Sequence, residues 1–472
     1  MTNEELDRVL ALSSVSIVAP AGHGKTEMIA DIVNYSSDKQ LILTHTNAGV
    51  EALVKRMKKR GVNANKYSIM TIAAFCIKWC HSYPNTGSFV EYSSLYEKLD
   101  MTLYYNKLYA GASKILANQW ARSVIMVTYS GVIVDEYQDC TQDQHELFLT
   151  INKTLPVRVL GDPLQGIFYW AGQLVNWNTL EFPRVDIETK PWRWHSTNPS
   201  LGNALSLIRA QLEPFLEGKS AHVNIPAIDC IEIIPPDIFN CYKLLKKLSG
   251  YESVVYITKY ERQQIKFCNS MAGIFQNDET QDCKILFEFA KRLDEDDNIK
   301  RALAILDFAK ECATSVGVET ASYKRNLEKG TWNFSKVKQH IELGLLLAVV
   351  CEMKNYRSIA NALNWFLKQS CFKFYRKELY FEMLRSIKFA IENQTSIFEA
   401  SIHIRRDIKF QKRYSQFNHL VTRTVLSKGL EFDCVIIDMK EQFHAKDFYV
   451  ALTRAKKKVY IISNSREFLF QQ

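Results

Sequence analysis

The segment SVSIVAPAGHGKTEMIADIVNY, residues 14–35, constrains this chain more than any other. SVSIVA (14–19) is a short apolar run and reads as a buried strand. KTEMIADIVNY (25–35) carries its apolar residues at helical spacing. The small residues between them let backbone N–H groups curl around phosphate oxygens at a helix N-terminus. Lys25 can then reach the β- and γ-phosphates of a nucleotide, and Thr26 can hold a divalent cation. The strict pattern opens with Gly, whereas position 19 is Ala, so GHGKT in its strand–loop–helix setting carries the reading.

Further short apolar runs follow. LILTH (41–45), YSIMTI (67–72), GVIVDE (131–136) and VRVLGD (157–162) read as strands, with helical patterns such as GVEALVKRMKKR between them. Strands alternating with helices predict a parallel α/β sheet covered on both faces. A second run of strand patterns comes late, in SVVYITKY (253–260), DCVIID (433–438) and KVYIIS (458–463). Residues 265–412 between them read as a helical insertion, and a smaller one is expected at about 76–125. The expected division is a first α/β domain over 1–190 and a second over 191–264 and 413–472. The later half of the large insertion interleaves Lys and Arg with Phe, Tyr and Trp. A nucleic-acid surface and a solvated basic face over an aromatic core both fit that pattern.

The chain has 472 residues, with 60 Lys and Arg against 51 Asp and Glu, so the formal net charge is +9. That excess permits a nucleic-acid partner without establishing one. The 11 Cys are scattered, and several, such as Cys351 and Cys434, sit in apolar runs as reduced core residues do. Cys76, Cys80 and His81 cluster, but no CxxC pair or second ligand group supports zinc. The N-terminus is acidic before it is apolar, unlike a secretion signal, and the longest apolar run (343–351) is too short for a bilayer. The expectation is a soluble cytoplasmic protein with no membrane partner.

VIVDEYQD (132–139) supplies what the phosphate loop lacks. A buried strand delivers Asp135 to its carboxyl end, where it can bind the metal shell, and Glu136 beside it can orient and deprotonate an attacking water. Charge developing on the γ-phosphate needs cations, for which Arg193 in PWRW and Arg454 in ALTRAKKK are candidates.

APAGHGKT, DEYQD, GDPLQGIF, KGLEFD and YVALTRAKKKVYI, in this order, resemble the motifs of superfamily 1 helicases of the UvrD/Rep/PcrA type. The resemblance implies two RecA-like domains with ATP in the cleft between them. It implies that Ala21, Gly22, His23, Gly24, Lys25 and Thr26 hold phosphates, with Mg²⁺ on Thr26 and Asp135. Gln165 would sense the γ-phosphate, and Arg193 and Arg454 would reach it from the second domain. An arginine of this kind is worth ~10³–10⁵ in rate. Trp192 would stack on adenine and Glu431 hold the ribose. Phe168 and Trp170 would stack on bases of single-stranded DNA, each stack worth roughly 1–3 kcal/mol. His45 and Thr71 match further DNA-contact positions.

The chain departs from the pattern in three places. Its first Gln is Gln40, so nothing before the phosphate loop matches the family's adenine-reading Gln. Val425 stands where many relatives have His, and the first insertion is reduced. The expected function is an ATP-driven 3′→5′ translocase or helicase on single-stranded or partly duplex DNA. The alternative is a nucleotide-gated regulatory subunit with little unwinding. Compact helicases of this type also occur in bacterial anti-phage systems such as Gabija, beside a nuclease, which implies such a partner here.

Overall fold

The computed structural model describes residues 1–88, 101–236, 241–271, 274–277, 284–353, 355–410, 418–441 and 443–471. By its internal contacts the chain divides into two units, one of Met1–Ile234, Ser427–Phe432 and Gln442–Gln472, the other of Pro235–Leu426 and Asp433–Glu441.

The first unit is built on five parallel strands: β1 (Ser14–Val18), β2 (Gln40–Thr44), β3 (Tyr67–Thr71), β4 (Gly131–Val134) and β5 (Val157–Gly161). Their spatial order is β1-β5-β4-β2-β3, with every pairing parallel. Alternation along the strands sends side chains to two cores. Leu41, Leu43, Val132 and Val134 pack with Phe75, Leu147 and Phe148 on one face. Ile17, Ile42, Ile133 and Leu160 pack with Ile29, Val33 and Leu53 on the other. Burial on both faces is why these strands read as continuous apolar runs rather than alternating ones.

The strands end slightly short of their sequence patterns. Ile72 already belongs to the helix Ile72–Ser82, because Thr71 caps it by accepting a hydrogen bond from Ala74 N at 3.0 Å. β4 stops at Val134, because Glu136 adopts a left-handed φ of 56° that no strand continues through. The smaller helical insertion appears as the helices Ile72–Ser82, Pro84–Gly87, Met101–Leu116 and Gln119–Thr128. This unit also holds β6 (Ala221–Asn224) and β7 (Ile231–Ile234).

The second unit contributes β8 (Val254–Thr258), β9 (Gln276–Asn277), β10 (His419–Arg423) and most of β11 (Phe432–Asp438), paired in parallel in the order β11-β8-β10-β9. β12 (Ala455–Ile462) and β13 (Glu467–Phe470) return to the first unit, β12 parallel to β7 and β13 antiparallel to β6. Among its described residues the large insertion has no strand besides β9, and helices such as Asn298–Cys312, Tyr356–Lys368 and Lys377–Asn393 share one core of Ile305, Phe308, Leu363, Phe366, Tyr380 and Met383. The architecture is therefore α/β with parallel sheets and helical insertions, as expected. Among the described residues no helix is long and apolar enough to cross a membrane.

Ile133 sits fully buried in the middle of β4. Ile133→Ala is expected to cost about 2–5 kcal/mol, read as a lower urea midpoint for the first unit. Val127→Ala, at a position 90 % exposed, is the control and stays within about 0.5 kcal/mol.

Candidate nucleotide and nucleic-acid site

The residues singled out from the first unit's sheet gather at one edge. Parallel strands point their carboxyl ends the same way, and that edge is where α/β sheets bind ligands. The phosphate loop leaves β1, His45 leaves β2, Thr71 ends β3, Asp135 leaves β4 and Asp162 leaves β5. The loop is tied to its neighbour by Ala19 N donating to Gly161 O at 2.9 Å. Gly22 and Gly24 take φ of 71° and 88°, which side-chain-bearing residues rarely adopt, and Gly24 caps the helix Lys25–Tyr35. His23 Nδ1 lies 2.8 Å from Ala21 O, and burial lowers the ring's pKa, leaving it neutral.

The segment Trp192–His195 closes over this loop. Arg193 N donates to Gly22 O at 3.1 Å, and a Cβ on Gly22 would stand 2.6 Å from the Trp194 ring. Trp194 donates its indole N–H to Ala455 O at 2.7 Å. Trp192 is 56 % exposed beside Gly24, so a stacking face is left open next to the phosphate loop.

The charges balance in close quarters. Lys25 Nζ lies 3.3 Å from Glu136 Oε1. Burial opposes the Glu136 charge, but Lys25, Lys428 and a hydrogen bond from Gln138 outweigh it and hold this carboxylate well below its usual pKa. Asp135 goes the other way: burial and then the Glu136 charge push it up to about 7. Among the described residues Asp135 forms no ion pair of its own. A buried carboxylate at a strand end, with the Thr26 hydroxyl in the first turn of the phosphate-loop helix, fits an oxygen-loving divalent ion that takes its remaining ligands from phosphates and water.

Arg193 and Arg454 belong to the same unit as Lys25 and Glu136. Arg454 is 3 % exposed and donates from Nη2 to Gln165 Oε1 at 3.1 Å and from Nε to Val450 O at 3.1 Å. Burial, then the charge of Arg193, lowers its pKa to about 10, so it stays cationic at neutral pH. Gln165 passes the link on, its Nε2 donating to Asp162 Oδ2 at 2.9 Å. Arg193 pairs with Glu431 at 2.7 Å and donates to Thr453 O at 2.6 Å.

On the flank, Phe168 meets His45 edge to face with ring centroids 6.3 Å apart. Burial lowers the His45 pKa to about 4, so it offers a neutral ring. Thr71 is half-buried and serves as the helix cap already described. Trp170 lies in the turn Tyr169–Ala171, and its side chain is outside the described residues. Tyr169, to which the sequence assigned no role, lies 51 % exposed with Lys446 5.9 Å from its ring centroid.

Sequence reasoning missed Lys428. Its ammonium pairs with Asp139, donates to Gln165 O at 2.7 Å, lies 3.7 Å from Glu136 Oε2 and sits 5.1 Å from the Phe168 ring centroid. It therefore touches the acidic motif, the loop that carries Gln165 and the ring of Phe168. The only signal was its place at the head of KGLEFD, and nothing in that spacing names its partners.

Two outcomes follow from this geometry. Gly22→Ala meets both an unfavourable φ and the Trp194 ring, and is expected to weaken nucleotide binding at least tenfold by fluorescence titration. Lys428→Met leaves Asp139 as an unpaired buried carboxylate and is expected to cost about 3–5 kcal/mol in urea unfolding.

The matches to known proteins fall on these same segments. A family model described as an AAA domain matches residues 3–170, and one described as a UvrD-like helicase C-terminal domain matches residues 425–462. The chain is similar to the Gabija protein GajB of Bacillus cereus (strain VD045), 22% identical over 366 residues, covering 74% of this chain and 66% of that protein. It thus spans just under two thirds of that relative's length. Among solved structures, the Pif1 helicase from Candida albicans is 12% identical with a TM-score of 0.39, covering 99% of this chain and 95% of that one. An arterivirus nonstructural protein 10 (helicase) in complex with DNA is 10% identical with a TM-score of 0.36, covering 98% of this chain and 63% of that one. The two family models thus fall on the two stretches that build the site, one resembling an AAA domain and the other the C-terminal domain of UvrD-like helicases.

Proposed function

We propose that this chain is an ATP- and Mg²⁺-dependent motor that moves 3′→5′ along single-stranded DNA. One observation carries the reading. Lys25, Glu136, Gln165 and Arg454 converge at the sheet edge, and Phe168 follows Gln165 by three residues on the same loop. In this reading Lys25 and the loop Ala21–Thr26 hold the phosphates. Thr26 and Asp135 would hold Mg²⁺, which would supply neutralisation of phosphate charge when bound. Glu136, kept ionised by Lys25 and Lys428, takes the proton of the attacking water.

Gln165 reads the γ-phosphate, and Arg454 and Arg193 supply cations to the transition state. Trp192 stacks on the base and Glu431 holds the ribose. Phe168, Trp170 and His45 stack on DNA bases, and Thr71 contacts a phosphate. The division into RecA-like domains at 1–190 and at 191–264 with 413–472 is part of this proposal.

The likeness to a Gabija protein supports a further step, a place in a bacterial defence complex beside a nuclease. The alternative, a nucleotide-gated subunit with little unwinding, is favoured by one observation. Gln40, the first Gln of the chain, is buried at the amino end of β2, away from the phosphate loop, where its amide donates to Ser130 Oγ at 2.6 Å. It does not serve as a base reader, and the motor is expected to accept GTP as well as ATP.

The deciding measurement is NTP hydrolysis with and without single-stranded DNA, with Lys25→Ala as the blank. A motor shows strong stimulation that the blank lacks, and Phe168→Ala weakens apparent DNA affinity by about 1–3 kcal/mol. It displaces streptavidin from the 5′ end of a biotinylated strand faster than from the 3′ end. Slow hydrolysis indifferent to DNA would sink the motor and leave the gated subunit.

A further inference from the structure

Arg209 lies in none of the motifs that define the site. It sits in the helix Pro199–Leu216, where a surface charge would be the ordinary expectation, yet it is only 7 % exposed. Its Nη2 lies 3.1 Å from Asp162 Oδ1, and its guanidinium lies 5.9 Å from the Tyr449 ring centroid. The second arm, Nη1, reaches Glu213 at 3.3 Å, a carboxylate that is 61 % exposed.

Asp162 is fully buried and does two jobs at once. Its Oδ2 accepts from Ala21 N at 3.0 Å and from Gln165 Nε2 at 2.9 Å. Its Oδ1 accepts from Leu164 N at 3.3 Å as well as from Arg209. A carboxylate held by backbone, amide and Tyr449 hydroxyl donors alone would be a net charge buried without a counter-ion. Arg209 is the cation that completes the arrangement. With Oδ1 engaged by Arg209 and Leu164 N, Oδ2 is turned toward Ala21 and Gln165. The Gln165 amide is then aimed so that its oxygen faces Arg454.

We infer that Arg209 is a positioning residue for Gln165, acting through Asp162. It sets the amide that meets the γ-phosphate without touching the nucleotide itself. The inference rests on the proposed role of Gln165 as γ-phosphate sensor. A sensor of transition-state charge affects turnover more than binding, because only interactions stronger in the transition state change kcat.

The test is steady-state ATP hydrolysis in the presence of single-stranded DNA. Arg209→Met is expected to lower kcat at least tenfold with KM within threefold. Arg209→Lys, which keeps a cation against Asp162, is expected to retain at least a third of kcat. Combining Arg209→Met with Gln165→Ala is expected to be no worse than Gln165→Ala alone. Glu213→Ala, which removes only the exposed partner, is expected to stay within twofold.

If Arg209→Met does not fold, the pair Asp162→Asn with Arg209→Met replaces it. That pair buries no lone charge, and the same kcat loss is expected. A merely structural role predicts a lower melting temperature with unchanged kcat per folded molecule, or losses that multiply with Gln165→Ala. Either result overturns the inference, as does wild-type turnover in the paired variant. A wild-type chain without hydrolysis would instead overturn the proposed function, so the two failures are distinct.

Discussion

A carboxylate with no exposure to water needs a donor on every side, and Asp162 organises the first unit around that requirement. The donors come from the phosphate loop, from its own turn, from Gln165 and from a distant helix. Gln138 adds a link by accepting from Asp162 N at 2.9 Å. Four segments are therefore held to one another by the need to satisfy one buried charge. Through Gln165 the arrangement extends to Arg454, and so to the start of β12.

Around this anchor the charges alternate. Lys25 and Lys428 face Glu136, Lys428 also faces Asp139, and Arg193 faces Glu431. Each cation expected to meet ATP is already engaged with a protein acceptor. A ligand that meets these cations has to replace partners they already hold.

The opening left beside the site is aromatic. Trp192 stands open next to the phosphate loop, while Phe168 is wedged between His45 and Lys428. Lys428 physically links the acidic motif to this aromatic, because one ammonium faces both Glu136 and the Phe168 ring.

By itself, the sequence determined the parallel α/β class and the helical insertions, and it singled out the residues proposed to hold phosphate. Strands buried on both faces must be short apolar runs, and a loop that cradles phosphate must be small and glycine-rich, so both leave local signatures. Lys25, Asp135 and Glu136 were legible for that reason, and Gln165 and Arg454 through the motifs they sit in. Only the tertiary structure decided the left-handed backbone at Glu136, the pairing of Arg193 with Glu431, and the partners of Lys428 and Arg209. Gln165 and Arg454 meet across 289 residues, and Asp162 and Arg209 across 47. No hydrophobic period or turn signal encodes such a meeting. It exists because the sheet brings strand ends to one edge, where a buried charge accepts whatever donor the packing delivers.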